Sequence, residues 1–227
     1  MIAIITARGG SKRIPKKNIK DFLGKPIISY SIEAALNSKL FDRVMVSTDS
    51  DDIKQVAIKY GAEVPFLRSK KTSNDFATTR EVLVEVIEEY KNKGVYFDEF
   101  ACIYPTAPFI TSDLLIGAYK KFKSENANAL IPVVKFSFPP QRAFVIKNKY
   151  LDLFDKDSFL KRSQDLEPLY HDCGQFYFYN TEAFMKLDSG LLDKTAYFVL
   201  DDMRVQDIDN LEDWNIAEIK YKRDCGK

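Results

Sequence analysis

Six cationic side chains, Arg8, Lys12, Arg13, Lys16, Lys17 and Lys20, crowd one short stretch, and no acid precedes Asp21. The segment reads Ala7-Arg8-Gly9-Gly10-Ser11-Lys12-Arg13-Ile14-Pro15-Lys16-Lys17-Asn18 and follows directly on the apolar run Ile2-Ala3-Ile4-Ile5. Two adjacent glycines let backbone amides approach an anion closely, and the Arg and Lys heads neutralise it. That chemistry suits a polyphosphate. A solvated basic loop would account for the charge but not for the glycine pair beside it. The loop carries neither GxxxxGK[ST] nor GxGxxG, so it is neither an NTPase P-loop nor a dinucleotide fingerprint. Arg8 and Lys17 can pair with separated phosphates, while Ser11 and Asn18 supply neutral donors or stabilise the loop itself. Lys16 and Lys20 read equally well as surface charges.

Near the other end of the chain, Asp207 and Asp209 bracket one residue, which on extended backbone puts both carboxylates on one face. Two hard oxygen ligands with an open remainder suit Mg²⁺, which keeps waters and takes substrate phosphates as ligands. The competing reading makes Asp209 the cap of a helix starting near Asn210 and Asp207 a solvated turn residue. A facing triphosphate loop favours the metal. The single histidine, His171, lies in Tyr170-His171-Asp172-Cys173-Gly174-Gln175. It can serve as a base near neutral pH or, having no visible partner, orient a substrate through a hydrogen bond. Gln175, Tyr177 and Tyr179 share one face of a strand and Phe176 and Phe178 the other; one face packs the core and the other is free to floor a pocket.

The elements that must position these groups alternate in type. Strands are expected at 2–6, 43–48, 63–66, 99–104, 129–135, 174–179 and 196–200, and helices at 26–38, 51–60, 78–92, 111–123, 180–187 and 210–222. Such alternation implies right-handed βαβ crossovers and a mostly parallel sheet covered on both faces. Ligands of open α/β sheets sit beyond the carboxyl ends of the strands. The basic loop, Ser47-Thr48-Asp49, Tyr104-Pro105-Thr106-Ala107-Pro108 and Asp207-Ile208-Asp209 all take that position. From Phe136 to about Asp172 the rhythm breaks, with Pro139-Pro140, charged clusters and many apolar residues. An excursion of that length is a lid, a specificity element or a dimerisation arm, and its apolar content favours an ordered subdomain over a disordered loop.

With 227 residues, 45% of them hydrophobic, the chain is expected to form one domain, 1–227, with an inserted arm at about 136–172. The 34 Lys and Arg balance 33 Asp and Glu, which argues against bulk nucleic-acid or anionic-membrane binding. No apolar run reaches the length of a membrane span, and Met1 leads straight into a strand without a signal peptide. Cys102, Cys173 and Cys225 lack CxxC spacing and suit reduced thiols in a cytoplasmic protein.

With these residues in place, the chain resembles the CMP-nonulosonic acid cytidylyltransferases over nearly its full length. The matching segments are ARGGSKRIPKKN (7–18), GKPIISYSIEAAL (24–36), FDRVMVSTDS (41–50), YGAEVPFLR (60–68) and QDIDNLEDW (206–214). The sialic-acid branch carries QPTSP after its central strand where this chain has Tyr104-Pro105-Thr106-Ala107-Pro108. Its IYPTAPF (103–109), FPPQRA (138–143), RSQDLE (162–167) and YHDCGQFY (170–177) resemble the pseudaminic acid branch. The resemblance implies a Rossmann-like nucleotidyltransferase core, a homodimer with arms crossing between protomers, and Mg²⁺ on Asp207 and Asp209. The implied reaction joins CTP and pseudaminic acid into CMP-pseudaminic acid and pyrophosphate, for flagellin or surface glycosylation.

Carried over by position, the nucleotide is expected at Ala7, Arg8, Gly9, Gly10, Ser11, Lys12, Lys17, Asn18, Arg68, Thr78 and Pro105, with the 72–80 segment near the cytidine. The sugar is expected at Tyr104, Arg142, Arg162, His171 and Gln175, with Arg142 or Arg162 taking its carboxylate, and catalysis at Arg8, Lys12, Lys17, Asp207 and Asp209. No sequence feature identifies a general base. Three alternatives share many of these features: a synthetase for another ulosonic acid, a sugar-1-phosphate nucleotidyltransferase using a different base, and a catalytically silent nucleotide-sugar binding module.

Overall fold

A computed structural model describes residues 1–187 and 190–225, the side chain of Cys225 excepted. The first strand, β1 (Ile2–Thr6), lies in the interior of a seven-stranded sheet, and Ile2, Ala3, Ile4 and Ile5 are fully buried on both of its faces. The basic loop follows and closes with a short 3₁₀ turn at Lys17–Ile19. A two-residue hairpin, β2 (Asp21–Phe22) and β3 (Lys25–Pro26), leads into α1 (Ile27–Ser38), with Pro26 as its cap. Strand β4 (Arg43–Ser47) pairs parallel with β1, and α2 (Asp51–Lys59) starts from Ser50, whose hydroxyl accepts from the Ile53 amide. Helix α3 (Thr79–Asn92) precedes β5 (Glu99–Ile103), the parallel neighbour on the other side of β1. Helix α4 (Ser112–Ser124) then leads to β6 (Ala129–Lys135).

The expected strand at 63–66 shrinks to one bridge between Met45 and Glu63. Pro65 has no amide to donate and stops the pairing there.

The excursion after β6 forms regular elements, although many of its apolar side chains, Phe138, Ile146, Tyr150 and Leu160 among them, stay exposed. It holds a hairpin, β7 (Phe144–Lys147) and β8 (Tyr150–Leu153), and a one-turn helix, α5 (Lys156–Phe159). Its last three residues return to the main sheet as β9 (Tyr170–Asp172), antiparallel to β6. Strand β10 (Phe176–Asn180) runs antiparallel between β5 and β6. Helix α6 (Thr181–Lys186), β11 (Thr195–Val199), parallel to β6, and α7 (Leu211–Cys225) complete the order.

The main path of the sheet is therefore β11-β6-β10-β5-β1-β4, with β9 beside β6. Only β9 and β10 run against the common direction, so the sheet is mostly parallel, as the alternation predicts. Strand side chains alternate between two cores. Ala3, Ile5, Val44, Val46, Ala101, Ile103, Phe176 and Phe178 pack against α1, α2 and α4. Ile2, Ile4, Met45, Phe100, Cys102 and Tyr177 pack against α3 and α6. Because β1, β4, β5 and β11 point the same way, their exits at residues 7, 48, 104 and 200 open on one edge.

Phe178 is fully buried and lies within aromatic contact of Phe41, Tyr119, Phe122 and Phe176. Phe178→Ala should lower unfolding stability by roughly 3–5 kcal/mol, measured as a lower denaturant midpoint with the slope unchanged.

Candidate active site

A third apolar cluster assembles the site. Ile208, between the two aspartates, is fully buried with Ile14 of the basic loop, Phe22, Ile27, Tyr30, Phe109 and Trp214. Trp214 and Phe22 meet edge to face at 5.5 Å. Burying Ile208 with Ile14 brings residues nearly two hundred positions apart in sequence to one spot. The Lys17 ammonium completes the join by donating to the Ile208 carbonyl at 2.6 Å.

The resulting cleft, about 410 Å³, is lined by Thr6, Ser11, Ile14, Asn18, Ala77, Val82 and Thr106 together with the residues described below. That volume lies within the range of small-molecule sites. Its cations are Arg8, Lys12, Arg13, Lys17 and Arg68, and its acids Asp75 and Asp209. Burial lowers the Lys17 pKa below that of a free lysine, against the pull of Asp209 and Asp207. Arg68 is buried, with Nε donating to the Ser47 hydroxyl at 3.0 Å and Nη2 to the Ser47 carbonyl at 2.6 Å. Burial brings its pKa down to about 10, with Asp49 opposing; the group stays cationic at neutral pH.

Asp209 is free of the capping role that competes with a metal. Asn210 Oδ1 accepts from the Glu212 and Asp213 amides, and Asp213 accepts from the Asp209 and Asn210 amides. The Asp209 carboxylate instead meets Arg13 at 2.8 Å. Asp207 is not among the residues that line the cleft, and burial, then Asp209, pushes its pKa above the usual carboxylate value. Gly174 adopts φ +61°, and a Cβ there would lie 3.8 Å from both the Asp207 carboxyl carbon and the Tyr104 ring. It marks where the aspartates and the β5 exit converge.

The β5 exit is pinned at both ends of its peptide. Tyr104 donates its amide to the Gln175 carbonyl at 2.9 Å, and its carbonyl accepts from the Ser31 hydroxyl at 2.7 Å. The Tyr104 side chain and Pro105 then line the cleft. The Tyr104 hydroxyl lies 3.4 Å from the Thr79 hydroxyl, and burial raises its pKa.

A model of the family described as "Cytidylyltransferase" matches residues 2–206. The chain belongs to the cytidylyltransferase family. The pseudaminic acid cytidylyltransferase of Campylobacter jejuni serotype O:2 is 45% identical over 97% of this chain and 96% of its own. The CMP-N,N'-diacetyllegionaminic acid synthase of Legionella pneumophila is 31% identical over 96% and 94%. A CMP:2-keto-3-deoxy-manno-octonic acid synthetase structure, solved with CTP, superimposes with a TM-score of 0.72 at 18% identity over 98% of each chain, which establishes a shared fold. The resemblance to CMP-nonulosonic acid cytidylyltransferases noted from the motifs is thereby borne out.

In this cytidylyltransferase the first loop glycine is engaged within the chain. Gly9 donates its amide to Asp49 at 2.8 Å, and a Cβ on it would come within 3.0 Å of the Ser50 Cβ. Its value is close approach to the β4 exit. Ala7 is buried, Gly10 is exposed, and none of Ala7, Gly9 and Gly10 lines the cleft. Asn18 is buried and donates to the Arg8 carbonyl at 2.9 Å, serving the loop itself. Lys16 pairs with Asp52 at 2.7 Å and Lys20 lies 5.5 Å from the Trp214 ring, both off the cleft wall. Thr78 is committed to a capping box with Glu81, and Thr79 is the residue that reaches the cleft.

The sugar residues are not gathered in the same way. Arg142 donates to the Ser163 hydroxyl at 2.9 Å, and Arg162 pairs with Asp165 at 2.8 Å, both within the excursion. His171 packs against Phe136 and shares a hydrogen bond with the Asp172 carbonyl, and Gln175 is buried with its amide on the Cys173 carbonyl. Sequence reasoning assigned no role of their own to Asp75, Thr79 and Arg13, or to Asp172, which accepts from the Tyr177 hydroxyl at 2.8 Å. One signal was available for Asp75: it is the lone acid between Glu63 and Glu81.

Ile208→Ala should cost roughly 2–5 kcal/mol of stability, because the buried side chain leaves a cavity. CTP affinity should fall with it, since the Lys17 anchor and the aspartates share that backbone. Denaturant unfolding and calorimetric CTP titration measure the two effects.

Proposed function

We propose that this cytidylyltransferase transfers the cytidylyl group of CTP to pseudaminic acid, giving CMP-pseudaminic acid and pyrophosphate for flagellin or other surface glycans. The observation that carries the reading is one cleft in which Arg8, Lys12, Lys17 and Arg68 face an uncapped Asp209. The 45% identity to a pseudaminic acid enzyme, against 31% to a legionaminic acid one, supports the choice of sugar.

The sugar's anomeric hydroxyl oxygen forms a bond to the α-phosphorus. The bond from that phosphorus to the bridging oxygen breaks, and its electrons leave with pyrophosphate. The hydroxyl proton passes to a carboxylate, and Asp209, which lines the cleft, and its neighbour Asp207 are the acceptors we assign. Lys17, anchored on the Ile208 carbonyl, and Arg68, anchored on Ser47, hold positive charge where phosphate charge builds. Prepaid orientation of this kind is the main catalytic resource in phosphoryl chemistry.

Asp207 and Asp209 fit Mg²⁺: both carry hard oxygens, burial and then Asp209 raise the Asp207 pKa, and a divalent cation would favour both carboxylates in their charged form. Among the described residues no third His, Cys, Asp or Glu joins them in a metal-sized cluster, so water and phosphate oxygens would complete the shell. Bound there, the metal would neutralise charge on the phosphates.

The excursion supports a homodimer whose arm completes the sugar pocket. Phe138, Ile146, Tyr150 and Leu160 are 84%, 79%, 78% and 89% exposed, a large apolar surface for one chain to leave in water. Arg142, half-buried, and Arg162, exposed, are cations on the same arm suited to a sugar carboxylate. The buried thiols Cys102 and Cys173, both pushed up to about 12 by burial, suit a reducing cytoplasmic setting.

Pyrophosphate release from CTP should occur with pseudaminic acid and fall away with N-acetylneuraminic acid; the reverse preference would reject the sugar assignment, and no release with any ulosonic acid would reject the enzyme. Asp209→Asn should abolish turnover with the fold intact, and wild-type activity at limiting Mg²⁺ would remove Asp209 from the metal site. Lys17→Ala should weaken CTP dependence roughly ten-fold or more, the loss expected for one charge-assisted contact. Sedimentation should report a dimer, and Arg142→Ala or Arg162→Ala should raise the KM for the sugar while CTP binding stays unchanged.

A further inference from the structure

The cleft already contains a bound anion, and it belongs to the chain. Asp75 Oδ1 accepts from Arg8 Nη1 at 2.8 Å, and Asp75 Oδ2 pairs with the Lys12 ammonium. The Asn74 carbonyl accepts from the same Arg8 nitrogen at 3.2 Å. One carboxylate thus spans two of the cations that the proposed reaction assigns to the triphosphate, one cation to each oxygen, as a phosphate group would.

The surrounding segment is built to present this carboxylate and to release it. Asn74 Oδ1 accepts from the Phe76 and Ala77 amides at 2.8 and 3.0 Å, and Asn74 Nδ2 donates to the Lys71 carbonyl at 2.6 Å, a self-contained turn with Asp75 at its tip. The turn hangs between two fixed points. Thr72 is buried and held by Glu85, and Thr78 caps α3. Between them Phe76 is 92% exposed and packs into no core. The tip is therefore held to the basic loop by charge, where a packed apolar contact would have made the attachment permanent. Arg8 is 39% exposed, Lys12 79% and Asp75 40%, so a competing anion in solution has access to both pairs and each is individually weak.

We propose that Asp75 is an internal counter-ion of the polyphosphate subsite: it occupies Arg8 and Lys12 in the free enzyme, yields them to the triphosphate of the incoming nucleotide, and reclaims them as pyrophosphate departs. The inference rests on the CTP reading above and deepens it. Asp75 is a positioning residue. It touches neither reacting atom, and it acts by competing for the cations that do bind phosphate. In the free state it prevents a cluster of like charges from repelling itself apart. After transfer it shifts the balance against retained pyrophosphate, a product that would otherwise sit on the same cations as the substrate.

The test is Asp75→Asn in the full chain, titrated calorimetrically with CTP, inorganic tripolyphosphate, pyrophosphate and cytidine. Removing the competitor should tighten CTP, tripolyphosphate and pyrophosphate roughly three- to ten-fold, the scale of two partly exposed ion pairs, and leave cytidine unchanged. Pyrophosphate should also become a stronger product inhibitor. Asp75→Glu, which keeps the charge, should stay close to wild type, and Asp75→Ser should repeat the effect of Asp75→Asn. Unchanged or weaker binding of tripolyphosphate by Asp75→Asn, with wild-type CTP binding intact, overturns the counter-ion role alone. Failure of the wild-type protein to bind CTP or tripolyphosphate overturns the functional reading and the inference together.

Discussion

Burial of Ile208 between two aspartates is the constraint on which the site depends. An apolar side chain that must leave water fixes the backbone on either side of it, and here that backbone carries Asp207 and Asp209. Because Ile14 enters the same cluster, the hydrophobic effect brings the acidic segment to the basic loop. Charge attraction alone would not locate it, since each exposed ion pair across this junction contributes little. The aromatic contacts of Phe22, Tyr30, Trp214 and Tyr221 extend the cluster and dock α7 against the β2–β3 hairpin.

Charge balance is the second organising feature, and it is local. The chain as a whole is nearly neutral, yet its basic loop would be self-repelling unless answered by nearby acids. Arg8 and Lys12 meet Asp75, Arg13 meets Asp209, Lys16 meets Asp52, and the Gly9 amide meets Asp49. These acids come from three separate segments: the start of α2, the turn before α3 and the segment leading into α7. The loop is thus a set of cations held by carboxylates drawn from elsewhere in the chain. Lys17 and Arg68, among the cleft cations, are anchored on backbone and hydroxyl oxygens that a bound anion would not displace.

The arm follows a different logic. Its hairpin and short helix form by local pairing, but they bury little of their own apolar surface. The sheet core, by contrast, is complete within one chain, with β1 enclosed by helices on both faces. Stability therefore resides in the sheet and its helices, while the arm is suited to work done against another surface.

Much of this was legible in the residues. Uninterrupted apolar character gave β1 away as a buried parallel strand, the alternation of strand and helix patterns gave the mostly parallel sheet, and strand direction put the basic loop and residue 104 on one edge. These are local or periodic properties, written in neighbouring residues. Long-range pairing is not written there. That Pro65 leaves a single bridge where a strand was expected, that β9 leaves the arm to rejoin β6, that Gly9 serves Asp49, and that Thr79 rather than Thr78 reaches the cleft all depend on which distant atoms arrive alongside. The chemistry of the loop was determined by the types of its side chains. Which acid neutralises which cation was decided only by the packing of Ile14 with Ile208 and by the turn that carries Asp75, because a charge recognises any opposite charge, and only the folded backbone chooses the one within reach.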